Sequence, residues 1–587
     1  MCSTSLHFTF TLSHSTDSSQ ILLKSPHIQT EQSTRSEPIS SSLFPSSSLR
    51  DLIFSAGHRN SMASKIDQII RESTLIENGN TARYHLQTKS GSMSQSGQYR
   101  KITFGERDKN KPHKSILMVG ETGTGKTTLI NAMINYMLGV KREDKVWFEI
   151  TDDQSDRTSA HSQTSSVTVY GFYLQESQTD LTIIDTPGYG DTRGVQLDKE
   201  IAMSFHSLSK SEEGVHEIHA VCLVIKATEN RLSDRLIYIF DAVQSLFGKD
   251  IVENIILLLT HSTGASPKDA LKAVKEAKIN CAVNDKNKPL YFQFDNCKLN
   301  DEEDDEEWDE ENEQRLDQSW NRSFRGMTGL FKFIDTIQPK SLEMTRDVIQ
   351  KRKQLEANIS NLQSRVHVIE LKQKELKQTQ EVLEQHEKYV EKNKNFEYEV
   401  EVVYMEKVDI DPKKDGEAMS CQVCKENCHY PGCWWVKDLS WCSVMKDNYC
   451  TVCTNKCHYS KHEKEAKRYV PVTKKEKKTH ENLKKEYCDK IGDGVSVVRQ
   501  LEKELHNFEI EKVKLVFEAF YCVKILKIIA LNVTSLFILE HVDFLIEKLK
   551  EINEPEKVKT LEKLKMKAGG GKQEAVGYTV KPNSEIN

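Results

Sequence analysis

No stretch of this chain is apolar for long enough to cross a bilayer. The longest late run, Ile528 to Leu539, holds 12 uncharged residues, among them Asn532, Thr534 and Ser535, whereas a spanning helix needs about 20 apolar ones. The first residues lack a basic region followed by a continuous apolar core, so no secretory signal is expected. An excess of one charge is lacking too. The net charge of −6 over 587 residues gives no reason to expect whole-chain binding to nucleic acid or anionic membrane. These absences point to a cytoplasmic protein, and the sequon Asn532-Val533-Thr534 reads as accidental. The length leaves room for several domains.

The most informative stretch begins with a short apolar run, Ser115 to Val119. Gly120, Glu121, Thr122, Gly123, Thr124, Gly125, Lys126, Thr127 and Thr128 follow, and then an apolar-periodic segment from Leu129 to Met137. Strand, glycine-rich turn and helix in this order fit G-x-x-x-x-G-K-[ST], the phosphate-binding P-loop. Its backbone N–H groups and the positive end of the helix dipole form an anion site. Lys126 is expected to reach the β/γ-phosphates and the Thr127 hydroxyl to ligate Mg²⁺. A second apolar run, Leu181 to Ile184, ends in Asp185-Thr186-Pro187-Gly188. In a P-loop fold the two strand ends lie close together, so Asp185 holds the Mg²⁺ and the Gly188 N–H meets the γ-phosphate. Between them, Thr164 is the preferred switch hydroxyl, with Ser165, Ser166 and Thr168 as rivals.

Around these motifs the pattern alternates between strands and helices. Strands are expected at Ser115–Val119, Ser166–Leu174, Leu181–Asp185, Ala220–Lys226, Asn254–Thr260 and Leu290–Phe294. Helices are expected at Thr127–Leu138, Gln196–Leu208, Ser233–Phe247, Pro267–Ala277 and Trp320–Ile337. Short apolar runs separated by helices mean a mostly parallel sheet covered on both faces. Ser266-Pro267 reads as a helix cap with a first-turn proline.

Gly120 to Thr127, Asp185 to Gly188, and Leu259-Thr260-His261-Ser262 after a strand resemble the immunity-associated GTPases and their septin and chloroplast-import relatives. The resemblance covers residues 113–340. It implies GTP and GDP as ligands, with Lys126 and Thr164 in the hydrolytic site. It also implies His261 beside the guanine, Asn296 as the late base contact, and regulation by dimerisation or a tail-linked assembly. Two departures stand out. No Asp follows His261 where guanine's N1 and N2 donors are normally met, and Tyr189 follows Gly188 where many small GTPases carry a water-orienting Gln. Slow or partner-dependent hydrolysis is therefore expected.

The remaining chain divides by composition. Residues 1–61 are rich in Ser and Thr and are expected to be disordered. Residues 62–112 read as a short helix, Ile66 to Ile76, and a polar linker. An acidic run, Asp301 to Glu313, reads as a solvated loop insertion. Residues 341–395 keep a four-three apolar spacing from Leu355 to Val390, that of a coiled coil, with a long helix packed within the chain as the alternative. Phe396 to Val408 alternates as strand. The lysines from Lys464 to Lys485 read as a solvated helix, residues 464–568 as a helical bundle, and residues 569–587 as a disordered tail. The expected fold class is thus α/β: a P-loop GTPase domain, a long coiled-coil helix, a Cys/His zinc module at 396–463 and a C-terminal bundle.

Eight of the 14 cysteines fall between Cys421 and Cys457. Cys421, Cys424, Cys428 and His429 recur as Cys450, Cys453, Cys457 and His458 at an offset of 29 residues, which also maps Cys433 onto His462. C-x2-C brings two thiolates to one ion from a tight turn, and Zn²⁺ takes four such ligands in a closed structural site. Two structural Zn²⁺ are expected. Cys421, Cys424, Cys450 and Cys453 are the firmest ligands, then Cys428 and Cys457, with His429, His458, Cys433 and His462 competing for the rest. Sequential and interleaved pairings both satisfy the spacing. Two function classes follow. One is a slow GTPase switch that forms a homodimer or oligomer through its G domain or coil. The other is a scaffold with a tightly held nucleotide.

Overall fold

The computed structural model describes residues 65–91, 99–151, 166–175, 177–189, 195–211, 214–229, 234–296, 310–385, 397–411, 417–430, 432, 436, 438–442, 444–479 and 497–568. The leader and tail, Thr164, Cys433 and most of the acidic run lie outside them.

The N-terminal half is built on an eight-stranded sheet. In chain order its N-terminal part comprises β1 (Thr74–Glu77), β2 (Ala82–His85), β3 (Lys89–Gly91), β4 (Tyr99–Gly105), β5 (His113–Gly120), β6 (Val146–Glu149), β7 (Val167–Tyr173) and β8 (Asp180–Asp185). β9 (Glu217–Ile218), β10 (Ala220–Lys226), β11 (Ile255–Thr260), β12 (Tyr291–Gln293) and β13 (Lys340–Ser341), which pairs with β9, follow. The main sheet has the order β12-β11-β10-β5-β8-β7-β4-β3, and β1, β2 and β6 form a small sheet apart. Its pairings are parallel except β7 with β8 and β3 with β4, so the sheet is mixed.

Both faces are covered, and the sequence says why. Successive strand residues point to opposite faces. Leu117, Val119, Leu223, Leu257 and Leu259 enter one core, and Ile116, Met118, Cys222, Ile256 and Leu258 enter the other. α1 (Lys126–Leu138) and α5 (Glu310–Thr336) cover the second face. α2 (Val195–Lys210), α3 (Asp234–Ser245) and α4 (Lys268–Glu276) cover the first. Each fully buried Leu or Ile of β11 contributes at most about 1.5–3 kcal/mol.

Three local expectations are corrected. The segment before residue 113 is not helix and linker alone: helix ends at residue 72, and β1 to β4 follow, with β3 and β4 joining the main sheet. Charged Arg100 and Lys101 mask the inward-facing Tyr99 and Ile102 of β4. Pro267 is itself the cap residue of α4, and no side chain caps that helix. Residues 467–479 of the lysine-rich segment form a strand. β14 (Glu397–Asp409) and β20 (Lys467–Thr479) form an antiparallel ribbon that sets Glu399 and Glu401 opposite Lys477 and Lys475. Opposed charges across a ladder favour pairing over a solvated helix.

α6 (Glu343–Gln385) joins the halves. Its buried Val348, Leu355, Ile359 and Leu362 share a core with Leu515, Val516, Ala519, Phe520, Val523 and Leu526 of α7 (Val497–Ile529). The seam from Leu355 to Leu362 is thus filled from within the chain. α8 (Leu536–Glu551) and α9 (Pro555–Ala568) complete a bundle. The bundle is held to the N-terminal half at Asp241 of α3. One carboxylate oxygen accepts from Asn532 Nδ2 at 2.7 Å, and the other accepts from the Leu536 amide at 2.9 Å. Ser535 makes no side-chain cap, so Asp241 supplies the anion that the α8 N-terminus favours. Burial lowers the Arg352 guanidinium to about 10, against the pull of nearby Asp241.

Asp241→Ala removes a buried countercharge and a helix cap together, with an expected cost of about 3 kcal/mol. Denaturant unfolding, followed in the C-terminal helices, measures it. A second expectation concerns acid. Burial lowers His113 and His219 to about 4, aided by Arg107 and Lys114 respectively, and His219 Nδ1 accepts from the Ser115 amide at 3.2 Å. An unfolded imidazole titrates near about 6.5, so between the two values the unfolded chain binds more protons. The stability contribution is complete above the unfolded value and is lost as pH falls toward the folded one. The thermal midpoint should drop over that window, and His219→Gln should flatten the drop.

Candidate functional site

The P-loop turns sharply at the end of β5. Gly125 has φ +86° and caps α1 from the left-handed region, where a side chain is strained. Lys126, only 7% exposed, donates from Nζ to the Gly120 carbonyl at 3.2 Å and the Glu121 carbonyl at 3.0 Å. Burial draws its ammonium below the ordinary lysine value, opposed by Asp185 and Glu121. The Thr124 hydroxyl donates to the Glu121 carbonyl at 2.9 Å, and Thr127 and Thr128 stand half-buried on the first turn of α1.

The second motif meets this loop directly. Asp185 is buried and pairs in register with Met118, and Thr186 Oγ1 donates to the Met118 carbonyl at 2.8 Å. A Cβ on Gly188 would stand 2.5 Å from the Thr122 backbone N and Cα, and closer still to Thr122 Oγ1. The two loops therefore touch where only hydrogen fits. Tyr189 donates its amide to the Gly120 carbonyl at 3.1 Å, while its ring is 1% exposed within the core. It offers no side chain to orient water.

Two further loops complete the rim. Thr260, at the end of β11, donates its hydroxyl to the Thr124 carbonyl at 2.7 Å. His261 follows with φ +52°, and its Cε1 lies 3.9 Å from where a Gly125 Cβ would be. Burial and Lys226 lower the His261 imidazole, against Asp295. Asn296 is half-buried beyond β12, in a loop joined to that of His261 by the Ser262 amide, which donates to the Phe294 carbonyl at 3.0 Å. Arg322 of α5 donates to the Ser262 carbonyl at 2.6 Å and pairs with Asp295 at 2.5 Å. Beside the P-loop lies a cavity of about 230 Å³ lined by Glu121, Thr122, Lys226, Leu236 and Phe240. Sequence reasoning missed Thr260 as a P-loop anchor, Arg322 as the loop clamp, and Lys226 and Phe240. A strand-terminal hydroxyl was the one visible signal among them.

The cysteine-rich segment folds into small sheets: β15 (Ala418–Cys421), β16 (Glu426–His429) and β19 (His462–Glu465), with a short hairpin of β17 (Met445–Lys446) and β18 (Tyr449–Cys450). Cys421, Cys424, Cys453 and Cys457 converge in one group; Cys428, Cys450, Cys453 and His462 converge in a second. Within each group the ligand atoms lie within 4.8 Å of one another. Each group draws on both copies of the repeat, so the arrangement is interleaved. His429 and His458 stand outside both. Neighbours on a strand face opposite ways. With Cys428 turned to its group, His429 lies 3.1 Å from Cys442 Sγ instead. His458 caps a short helical turn by accepting from the Ser460 amide at 3.3 Å. Glu426 links the module to α6: it forms an ion pair with Arg365 and accepts from the Thr454 amide at 3.0 Å.

The strand order and loops define a class, the P-loop domain of the GTPase type. Residues 114–317 match the AIG1 family, so an AIG1-type G domain occupies part of the chain. Among solved structures, one similar to this chain is Toc33 from Arabidopsis thaliana in complex with Mg²⁺ and GMPPNP. The two are 16% identical, with 39% of this chain and 88% of that one covered and a TM-score of 0.25. Toc33 in complex with GDP and Mg²⁺ is 18% identical over 41% and 86% of the two chains, with a TM-score of 0.24. A structure of the chloroplast translocon components atToc33 and psToc159, for which dimerization is described as important for GTPase activity, is 16% identical. It covers 40% of this chain and 88% of its own, at a TM-score of 0.27. No curated protein matches the chain. Among the described residues no helix is long and apolar enough to cross a membrane.

Gly188→Ala should force the two loops apart. The expected cost is about 1–3 kcal/mol of stability, together with at least tenfold weaker nucleotide binding, read by calorimetry.

Proposed function

We propose that this chain is a GTP-binding protein and a slow, Mg²⁺-dependent GTPase whose nucleotide state controls oligomerisation or partner binding. The observation that carries this is the contact of Gly188 with Thr122, which sets the γ-phosphate sensor against the phosphate cradle. In this reading Gly120 to Thr128 wrap the phosphates, and Lys126 and Thr164 serve hydrolysis. Gly188 senses the γ-phosphate, and His261 and Asn296 contact the guanine. Thr127 and Asp185 offer the hydroxyl and carboxylate oxygens that suit Mg²⁺. The ion, when bound, neutralises charge on the phosphate oxygens. Burial of Tyr189 supports slow turnover. α3 supports coupling to the rest of the chain: Leu236 and Phe240 line the cavity beside the P-loop, and Asp241 grips α8.

The first half of the α6 seam, filled by α7, favours the G domain over the coil as the face for a homodimer. The Cys/His module holds two structural Zn²⁺ through Cys421, Cys424, Cys428, Cys450, Cys453, Cys457 and His462. Free thiols among the described cysteines suit a reducing, cytoplasmic setting. A second reading, a nucleotide-bound scaffold without turnover, is favoured by Ser262 standing where a base-reading Asp is expected.

Equilibrium binding of GTP, GDP and ATP with Mg²⁺ to the full chain tests the assignment. Micromolar or tighter GTP binding, resistant to ATP and lost in Lys126→Ala, is expected. Equal binding of ATP overturns the guanine assignment, and no binding overturns the nucleotide reading.

A further inference from the structure

Among the described residues, the seven converging ligands of the cysteine module pose a problem of number. Two separate closed zinc sites need eight protein ligands. The two groups supply Cys421, Cys424 and Cys457 on one side and Cys428, Cys450 and His462 on the other, with Cys453 common to both. We propose that the module is a two-metal thiolate cluster in which Cys453 Sγ bridges both ions, an inference that rests on the zinc reading above. Each ion then has four protein ligands, and both sites are closed.

The surroundings suit this. Cys421, Cys428, Cys450, Cys453 and His462 are buried. His462 Nδ1 lies 3.1 Å from the His458 carbonyl, which only accepts, so Nδ1 carries the hydrogen and Nε2 keeps the lone pair for a metal. Backbone amides already face the sulfurs. Val452 and Cys453 each donate to Cys450 Sγ at 3.3 Å, Cys424 donates to Cys421 Sγ at 3.4 Å, and Cys457 donates to Cys453 Sγ at 3.2 Å. These donors stabilise thiolate charge. Cys424 and Cys457 Sγ are 3.8 Å apart, a separation two ligands of one tetrahedral ion adopt. At Zn–S distances of about 2.3 Å, a shared sulfur places the ions no more than about 4.6 Å apart. On binding, each of the six thiols releases its proton to solvent, and no electron is transferred.

The interleaving gives the arrangement a structural consequence. Neither copy of the repeat can close a site alone, so each ion ties the two copies together. Through Glu426, which meets Arg365 and Thr454, the order of the cluster is transmitted to α6.

The test loads the full chain with the spin-half isotope of cadmium, counts ions by native mass spectrometry, and records the metal's NMR spectrum. Two ions per chain, whose two resonances split each other by metal–metal coupling through the shared sulfur, are expected. Two resonances without mutual splitting overturn the bridge and leave the zinc reading standing. A single ion overturns the bridge; no ion overturns the zinc reading as well. As a second measurement, Cys457→Ser should retain one tightly held ion, with Cys428, Cys450, Cys453 and His462 intact, whereas Cys453→Ser should hold neither. Retention of one ion by Cys453→Ser would contradict the shared ligand.

Discussion

Two loops meet at the ends of neighbouring strands with no space for a side chain between them. The register that pairs Met118 with Asp185 brings the P-loop and the Asp-Thr-Pro-Gly turn to one edge of the sheet, and Gly188 against Thr122 closes the gap. The candidate site is arranged around that contact. Thr260 anchors the P-loop from the β11 side, and Arg322 holds together the loops that carry His261 and Asn296. The fully buried β5, β10 and β11 provide the rigid base that such a fit requires, since a packed core does not deform continuously.

From this edge the structure leads outward through few contacts. α3 presents Leu236 and Phe240 to the cavity beside the P-loop, and one residue later Asp241 caps α8. α6 takes up the other connection. Its first half buries Val348, Leu355 and Ile359 in the bundle core, and Arg365 meets Glu426 of the cysteine module. A buried carboxylate at each junction makes these joints specific, because removing either partner leaves a charge or a polar group stranded.

Much of this was legible in the residues. The P-loop and the second motif are local: their glycines and apolar runs dictate strand, turn and helix without help from distant contacts. The core strands were legible because alternate residues fill two cores. β4 and β20 were not, because strands rich in Arg and Lys carry their pairing information in a partner far along the chain, as Glu399 does for Lys477. The cysteine repeat announced a cluster of converging thiols, but the placing of His462 in it, with His429 and His458 outside, depends on strand direction and on a capping turn. The apolar spacing of α6 was plain, yet spacing cannot tell a second copy from α7 of the same chain.

The central claim is that the site turns over GTP and is not merely occupied by it. Phosphate release from GTP by the full chain, under multiple turnover with Mg²⁺, measures this most directly. Slow turnover that disappears in Thr127→Ala and is absent with ATP is the predicted result. Tight GTP binding with no phosphate released above buffer would contradict the switch and leave a nucleotide-bound scaffold.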